Sequence, residues 1–186
     1  MLFRSDSANF ESHENVEVFR RIGKSVSEAF EQFGSYPIID FDTTTRSNML
    51  NNLVVNSIQK NCEDQRFRFY PTLTNTRRSL AILDDKYILF FKKSPFSNVK
   101  TNQDDLIKNQ ELNKHIIFIV YSVDDFWSSI EKSEFQYFSS PSNVSYTYDI
   151  SKYLTQQVII PFQTQDDQPN PVIRIKEGNI EIKKAQ

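Results

Sequence analysis

The sequence predicts an α+β fold in which two N-terminal helices pack on a mostly antiparallel sheet. Apolar residues at helical spacing fill the first third of the 186-residue chain, and strand-length apolar or alternating runs follow from residue 66 onward. A short helix inserted from residue 101 to about 112 and a β-hairpin at the C-terminus complete the predicted order of elements.

The two predicted helices span residues 11–33 and 44–61. Apolar side chains in the first recur along one stripe, as expected for a helix with one buried side. The second begins near Arg46, and a cation in a first turn opposes the helix dipole. We therefore expect Arg46 to have an anionic partner, which is either Asp40 or Asp42 in an ion pair or else a phosphate or substrate.

Strand signals occupy the middle and the last third of the sequence. Two runs that are apolar on both faces flank Asp84-Asp85, which predicts a hairpin within a sheet covered on each side. A short helical turn is expected after Asp124, followed by a two-stranded meander. The predicted strands are residues 66–70, 80–83, 87–91, 115–123, 134–140 and 144–150.

Residues 1–162 are predicted to form one α+β domain, and residues 163–186 a polar linker followed by a terminal hairpin at 172–184. The chain shows no signal-peptide pattern and no apolar run near the length of a membrane span. These observations predict a cytoplasmic protein with no membrane partner.

The scarcity of several residue types excludes whole classes of site. The chain has 3 Gly, too widely spaced for a phosphate-binding glycine loop, and its 1 Cys cannot form an internal disulfide. Its 2 His are too few for a histidine-rich metal cluster. No cofactor and no metal are therefore expected.

Positive charge is concentrated in one segment of a chain whose net charge is −2. Residues 66–100 contain eight basic and two acidic side chains, whereas the segments on either side are both acidic. This asymmetry predicts a surface for nucleic acid or phosphate groups, although the cations could equally solvate edge strands. A helix beginning at Thr101 would add free backbone N–H groups that favour anions. The candidate anion-binding residues are Arg46, Arg77, Arg78, Lys92, Lys93, Ser97, Asn98, Lys100 and Thr101.

Catalysis has weaker support in the sequence. Asp40 and Asp42, with Lys92 or Lys93, would suit a metal-dependent nuclease, but the usual acid-x-Lys spacing is missing. His115 could serve a metal-independent ribonuclease as a general base. No catalytic residue is assigned, and whether the protein is an enzyme stays open.

Several short motifs occur together between residues 46 and 162. They are Arg46, Phe90-Phe91-Lys92-Lys93, Ser97-Asn98-x-x-Thr101, an apolar strand ending at Tyr121, and Ile160-Pro161-Phe162. In this combination the chain resembles an uncharacterised family of small bacterial proteins, and it departs from that pattern at position 90, where Phe replaces Arg. The resemblance implies an accessory or effector protein of mobile-element, phage-defence or toxin–antitoxin-like loci.

Three functions follow as hypotheses. In the first, the basic strand-and-loop surface binds nucleic acid or phosphate groups. In the second, the chain is a non-catalytic protein-interaction module, such as an antitoxin or regulator partner, that uses a sheet edge or residues 172–184. The third is a nuclease.

Overall fold

The computed structural model describes residues 7–70, 79–95, 115–140 and 143–155. The helices are α1 (Ser7–Phe10), α2 (His13–Gly34) and α3 (Thr43–Cys62), with short 3₁₀ turns at Ile38–Asp40 and Ser151–Tyr153. The strands are β1 (Phe67–Tyr70), β2 (Leu80–Leu83), β3 (Tyr87–Lys93), β4 (His115–Val123), β5 (Ile130–Ser140) and β6 (Asn143–Asp149). The α+β class and the two N-terminal helices are therefore confirmed. The predicted inserted helix and terminal hairpin lie outside the described residues.

Helix α3 starts at an N-cap that the sequence only partly indicated. The Asp42 carboxylate accepts hydrogen bonds from the backbone N–H groups of Thr44 and Thr45, at 2.8 and 3.0 Å. Asp42 rather than the threonine run therefore satisfies the first free donors of the helix. Within the described residues, no helix combines the length and the apolarity that crossing a membrane would need.

The six strands form one sheet in sequence order, β1 to β6. Every neighbouring pair is antiparallel except β3 and β4, which run parallel with Tyr87 opposite His115. The sheet thus consists of two three-stranded antiparallel meanders, β1–β2–β3 and β4–β5–β6, joined side by side at the centre. The predicted Asp84-Asp85 hairpin is confirmed, and both aspartates have positive φ, at 53° and 56°.

The two faces of the sheet have different surroundings. Helices α2 and α3 pack on one, here called the helix face, where Phe67, Leu89 and Ile119 join the main core. The other, here called the second face, has a smaller apolar cluster on β2, β3 and β4 that includes Phe90 and Phe118. These side chains are buried, in agreement with the expected two-sided apolar strands.

The segment after β6 returns to helix α2. A Cβ atom placed on Gly23 would lie only 2.6 Å from the Cβ of Tyr153, which shows how closely the two backbones approach. One turn further along the helix, the Ser27 hydroxyl accepts a hydrogen bond from the backbone N–H of Thr155 at 2.8 Å. This contact ties the end of the sheet to the first long helix.

The predicted helical turn after Asp124 is wrong. The Asp124 carboxylate instead caps a tight turn, accepting from the backbone N–H groups of Ser128 and Ser129 at 2.6 and 3.1 Å. Trp127 within this turn has a φ of 58°, a conformation that ends any helical progression. Strand β5 consequently begins at Ile130, four residues earlier than expected.

Candidate functional site

Arg66, the first cation of the basic segment, is held inside the fold. Its guanidinium donates two hydrogen bonds to the Asp84 carboxylate at 2.7 and 2.8 Å and a third to the Asn15 side-chain oxygen at 2.6 Å. The bonds to Asp84 raise the pKa of Arg66. An arginine held in this way has few donors left for a phosphate.

The rest of strand β1 is similarly occupied. Arg68 forms an ion pair with Asp85, so the two hairpin aspartates each neutralise one arginine of β1. Phe67 and Phe69, which alternate with these arginines, are buried in the main core. They are therefore not available to stack on bases, and only Tyr70 of this strand is an exposed aromatic.

Lys92 and Lys93 do not act together, because neighbouring residues of a strand point to opposite faces. Lys93 reaches the helix face, where its Nζ atom lies 4.5 Å above the centre of the Trp127 ring. Burial there lowers the pKa of Lys93. Lys92 is in register with Val120 and faces the second side of the sheet. The pair therefore supplies at most one cation to either face.

Arg46 lies on a third part of the molecule, at the start of α3. Its guanidinium donates to the backbone carbonyl of Ile39 at 3.0 Å. Asp42 uses its carboxylate for the helix cap, and the hydrogen bonds from Thr45 lower the pKa of Asp42. Among the described residues the predicted ion pair of Arg46 with Asp40 or Asp42 is not formed, because the 3₁₀ turn at Ile38–Asp40 presents a carbonyl to the guanidinium instead.

The remaining predicted site residues lie outside the described residues. These are Arg77, Arg78, Ser97, Asn98, Lys100 and Thr101. Of the three that are described, Arg46 and Lys93 are on the helix side of the sheet and Lys92 is on the opposite side. The described part of the predicted anion surface is therefore divided between two faces.

The possible catalytic groups are also dispersed. His115 packs against the rings of Tyr87 and Tyr137, with centroids 6.0 and 6.1 Å away. Because Asp40 belongs to a 3₁₀ turn, it does not share an extended face with Asp42. No group of three His, Cys, Asp or Glu side chains suited to a metal occurs within the described residues.

A polar area on the second face was not anticipated from the sequence. Glu134 is buried there and accepts a hydrogen bond from Gln136 at 2.6 Å, and its carboxylate lies 2.5 Å from the Lys132 ammonium. These side chains adjoin a shallow cleft of about 210 Å³ that Ser94 and Ser122 also line. Alternating polar residues along β5 were its only sequence signal. The charges compensate each other within the cluster, so it offers no excess positive charge to an anion.

Both edges of the sheet have features that disfavour strand addition. At one edge, the arginines of β1 place charges beside the strand. At the other, the pairing of β5 with β6 is irregular, because Tyr137 lies opposite Tyr146 but Phe138 lies opposite Val144. The extra residue in β6 marks a bulge, and bulges turn an edge away from a flat pairing surface.

Exposed apolar side chains are instead concentrated at one end of the molecule. Five large hydrophobic residues are exposed in the described part of the chain, and three of them are Tyr36, Ile39 and Phe126. The first two belong to the connection between α2 and α3, and Phe126 belongs to the β4–β5 turn. The two segments meet where the rings of Phe33 and Trp127 pack at 5.7 Å. We call Tyr36, Ile39 and Phe126 the end patch.

The fold and this patch define a small α+β domain with a mixed six-stranded sheet, two helices on one face and an apolar surface at one end. Comparison with protein-family models, with curated proteins and with solved structures found no match.

Proposed function

We propose that the chain is a non-catalytic protein-interaction module that binds its partner through the end patch. The observation that carries this proposal is the grouping of three exposed apolar side chains at one end of the domain. Single exposed apolar residues are common on protein surfaces, whereas grouped ones are typical of contact sites. The resemblance noted above would place such a module among accessory or effector proteins of mobile-element, defence or toxin–antitoxin-like loci.

The internal contacts of the basic segment support this choice over nucleic-acid binding. Arg66 and Arg68 are paired with aspartates, and Lys93 lies over an aromatic ring. A surface that neutralises many phosphates needs cations that are free to face the backbone of the nucleic acid. Nucleic-acid binding remains a prediction, and it depends on Lys92 and on residues outside the described part of the chain.

The first experiment compares two sets of serine substitutions in the full-length protein. The variant Y36S/I39S/F126S removes the end patch, and the matched control Y70S/V144S removes the two other exposed large apolar side chains. We expect a stoichiometric protein partner to purify with the wild type and with the control. We expect at least a tenfold loss of that partner with the end-patch variant, because its central apolar contacts are gone.

A second measurement separates this function from nucleic-acid binding. Affinity for a short oligodeoxythymidine is measured against salt concentration for the wild type and for Lys92→Ala. The proposal expects weak binding that the substitution does not change. Tight binding that falls steeply with salt and weakens further in Lys92→Ala, with no partner protein recovered, would replace the proposal with the nucleic-acid function.

A further inference from the structure

We propose that Phe126 is the anchor of the end patch and that it enters an apolar pocket whose rim is positively charged. This inference rests on the proposed function and specifies the chemistry of the partner. Phe126 is 74% exposed, the largest exposed fraction among the large apolar residues of the described chain. Buried aromatic anchors commonly dominate the binding energy of protein interfaces.

The turn that presents Phe126 is held in one conformation. The Asp124 carboxylate accepts hydrogen bonds from Ser128 and Ser129, and these bonds lower the pKa of Asp124 despite its partial burial. The next ring along the chain, Trp127, is 5% exposed and is fixed between Phe33 and the Lys93 ammonium. An exposed side chain on a rigid turn loses little conformational freedom when it binds.

The backbone at Trp127 points to a function for this rigidity. Its φ of 58° is unusual for a large aromatic residue, and such a conformation costs on the order of 1–3 kcal/mol. With Trp127 turned into the core in this conformation, the preceding side chain, Phe126, faces the solvent. The fold thus maintains a strained residue whose visible result is an exposed phenylalanine.

The charges around the patch indicate the character of the partner's rim. Asp125 and Asp40 are exposed, and neither carboxylate forms an ion pair with another described residue. The nearby cations are both occupied, Arg46 by the Ile39 carbonyl and Lys93 by the Trp127 ring. The patch therefore has an acidic border, and a complementary partner has lysine or arginine around an apolar pocket.

β-Cyclodextrin serves as a probe of this chemistry, because its apolar cavity accepts one aromatic ring. The experiment titrates the full-length protein with three forms, in which the rim of the cavity is neutral, carries ammonium groups or carries carboxylates. Binding is followed by NMR of the aromatic side chains. We expect the ammonium form to bind most tightly and the carboxylate form most weakly, with the order compressed at high salt.

Three variants make the result specific. Phe126→Ser is expected to abolish binding at the patch, and Tyr70→Ser, at an exposed aromatic on another surface, is expected to leave it unchanged. Asp125→Lys is expected to reduce the preference for the ammonium rim at least about threefold, because it replaces an attractive charge with a repulsive one. The inference is overturned if Phe126→Ser does not alter binding, or if the three forms bind equally at low salt. Loss of the protein partner from the end-patch variant would in that case still support the proposed function.

Discussion

Replacing Gly23 with alanine tests the contact that ties the end of the sheet to helix α2. At an unhindered position inside a helix this substitution stabilises a protein by about 1 kcal/mol. Here the new Cβ would lie 2.6 Å from the Cβ of Tyr153 and 3.1 Å from its carbonyl carbon, so the two backbones must separate. Overpacking of this kind costs about 1–3 kcal/mol, and loss of the neighbouring Ser27–Thr155 hydrogen bond about 1 kcal/mol more. We therefore expect a net loss of about 1–3 kcal/mol in the free energy of unfolding.

Urea denaturation followed by far-UV circular dichroism measures this change, and a double-mutant cycle identifies its cause. In a Tyr153→Gly background the Cβ–Cβ clash no longer exists, so Gly23→Ala should cost less there than in the wild type. An increase of about 1 kcal/mol in the stability of the Gly23→Ala single variant, the value for an unhindered helix, would refute the close approach.

Two further predictions concern buried groups. Arg66→Ala should destabilise the protein by about 1–3 kcal/mol in urea denaturation, because it leaves the oxygen of Asn15, which is 1% exposed, without this donor. Arg68→Ala, which removes only an exposed ion pair, should cost less than about 1 kcal/mol, and equal costs would contradict the reasoning. Burial raises the pKa of the Cys62 thiol to about 11, so iodoacetamide at pH 8 should modify the unfolded chain but not the folded one. The same shift favours the folded state below the reference thiol pKa of 9.0, and this contribution declines as pH rises toward 11, so rapid labelling of the folded protein would disprove it.

The local elements of the fold could be predicted because each has a strong pattern of its own. Helix α2 has a single apolar stripe, and the β2–β3 hairpin has two apolar runs around two aspartates. The parallel pairing of β3 with β4 could not be predicted in the same way. It depends on which strands become neighbours, and the spacing of apolar residues within either strand contains no information about that choice.

The candidate site was less predictable, for two different reasons. Strand alternation alone could have shown that Lys92 and Lys93 point to opposite faces. The pairing of Arg66 with Asp84 and of Arg68 with Asp85 required the tertiary alignment of β1 beside the hairpin. Phe126 gave no signal, because its exposure results from the unusual backbone of the following residue.

The joining of two meanders at a single parallel pair of strands has a consequence for how the sheet assembles. Each meander contains only antiparallel neighbours that are close in sequence, so its pairings close short loops. The β3–β4 pair requires the ends of a much longer segment to meet, which slows its formation relative to the hairpins. We expect the two half-sheets to form first and their docking along β3 and β4 to limit the folding rate. Lengthening the chain between these strands should therefore slow folding while changing stability only slightly, since loop-closure entropy grows slowly with length.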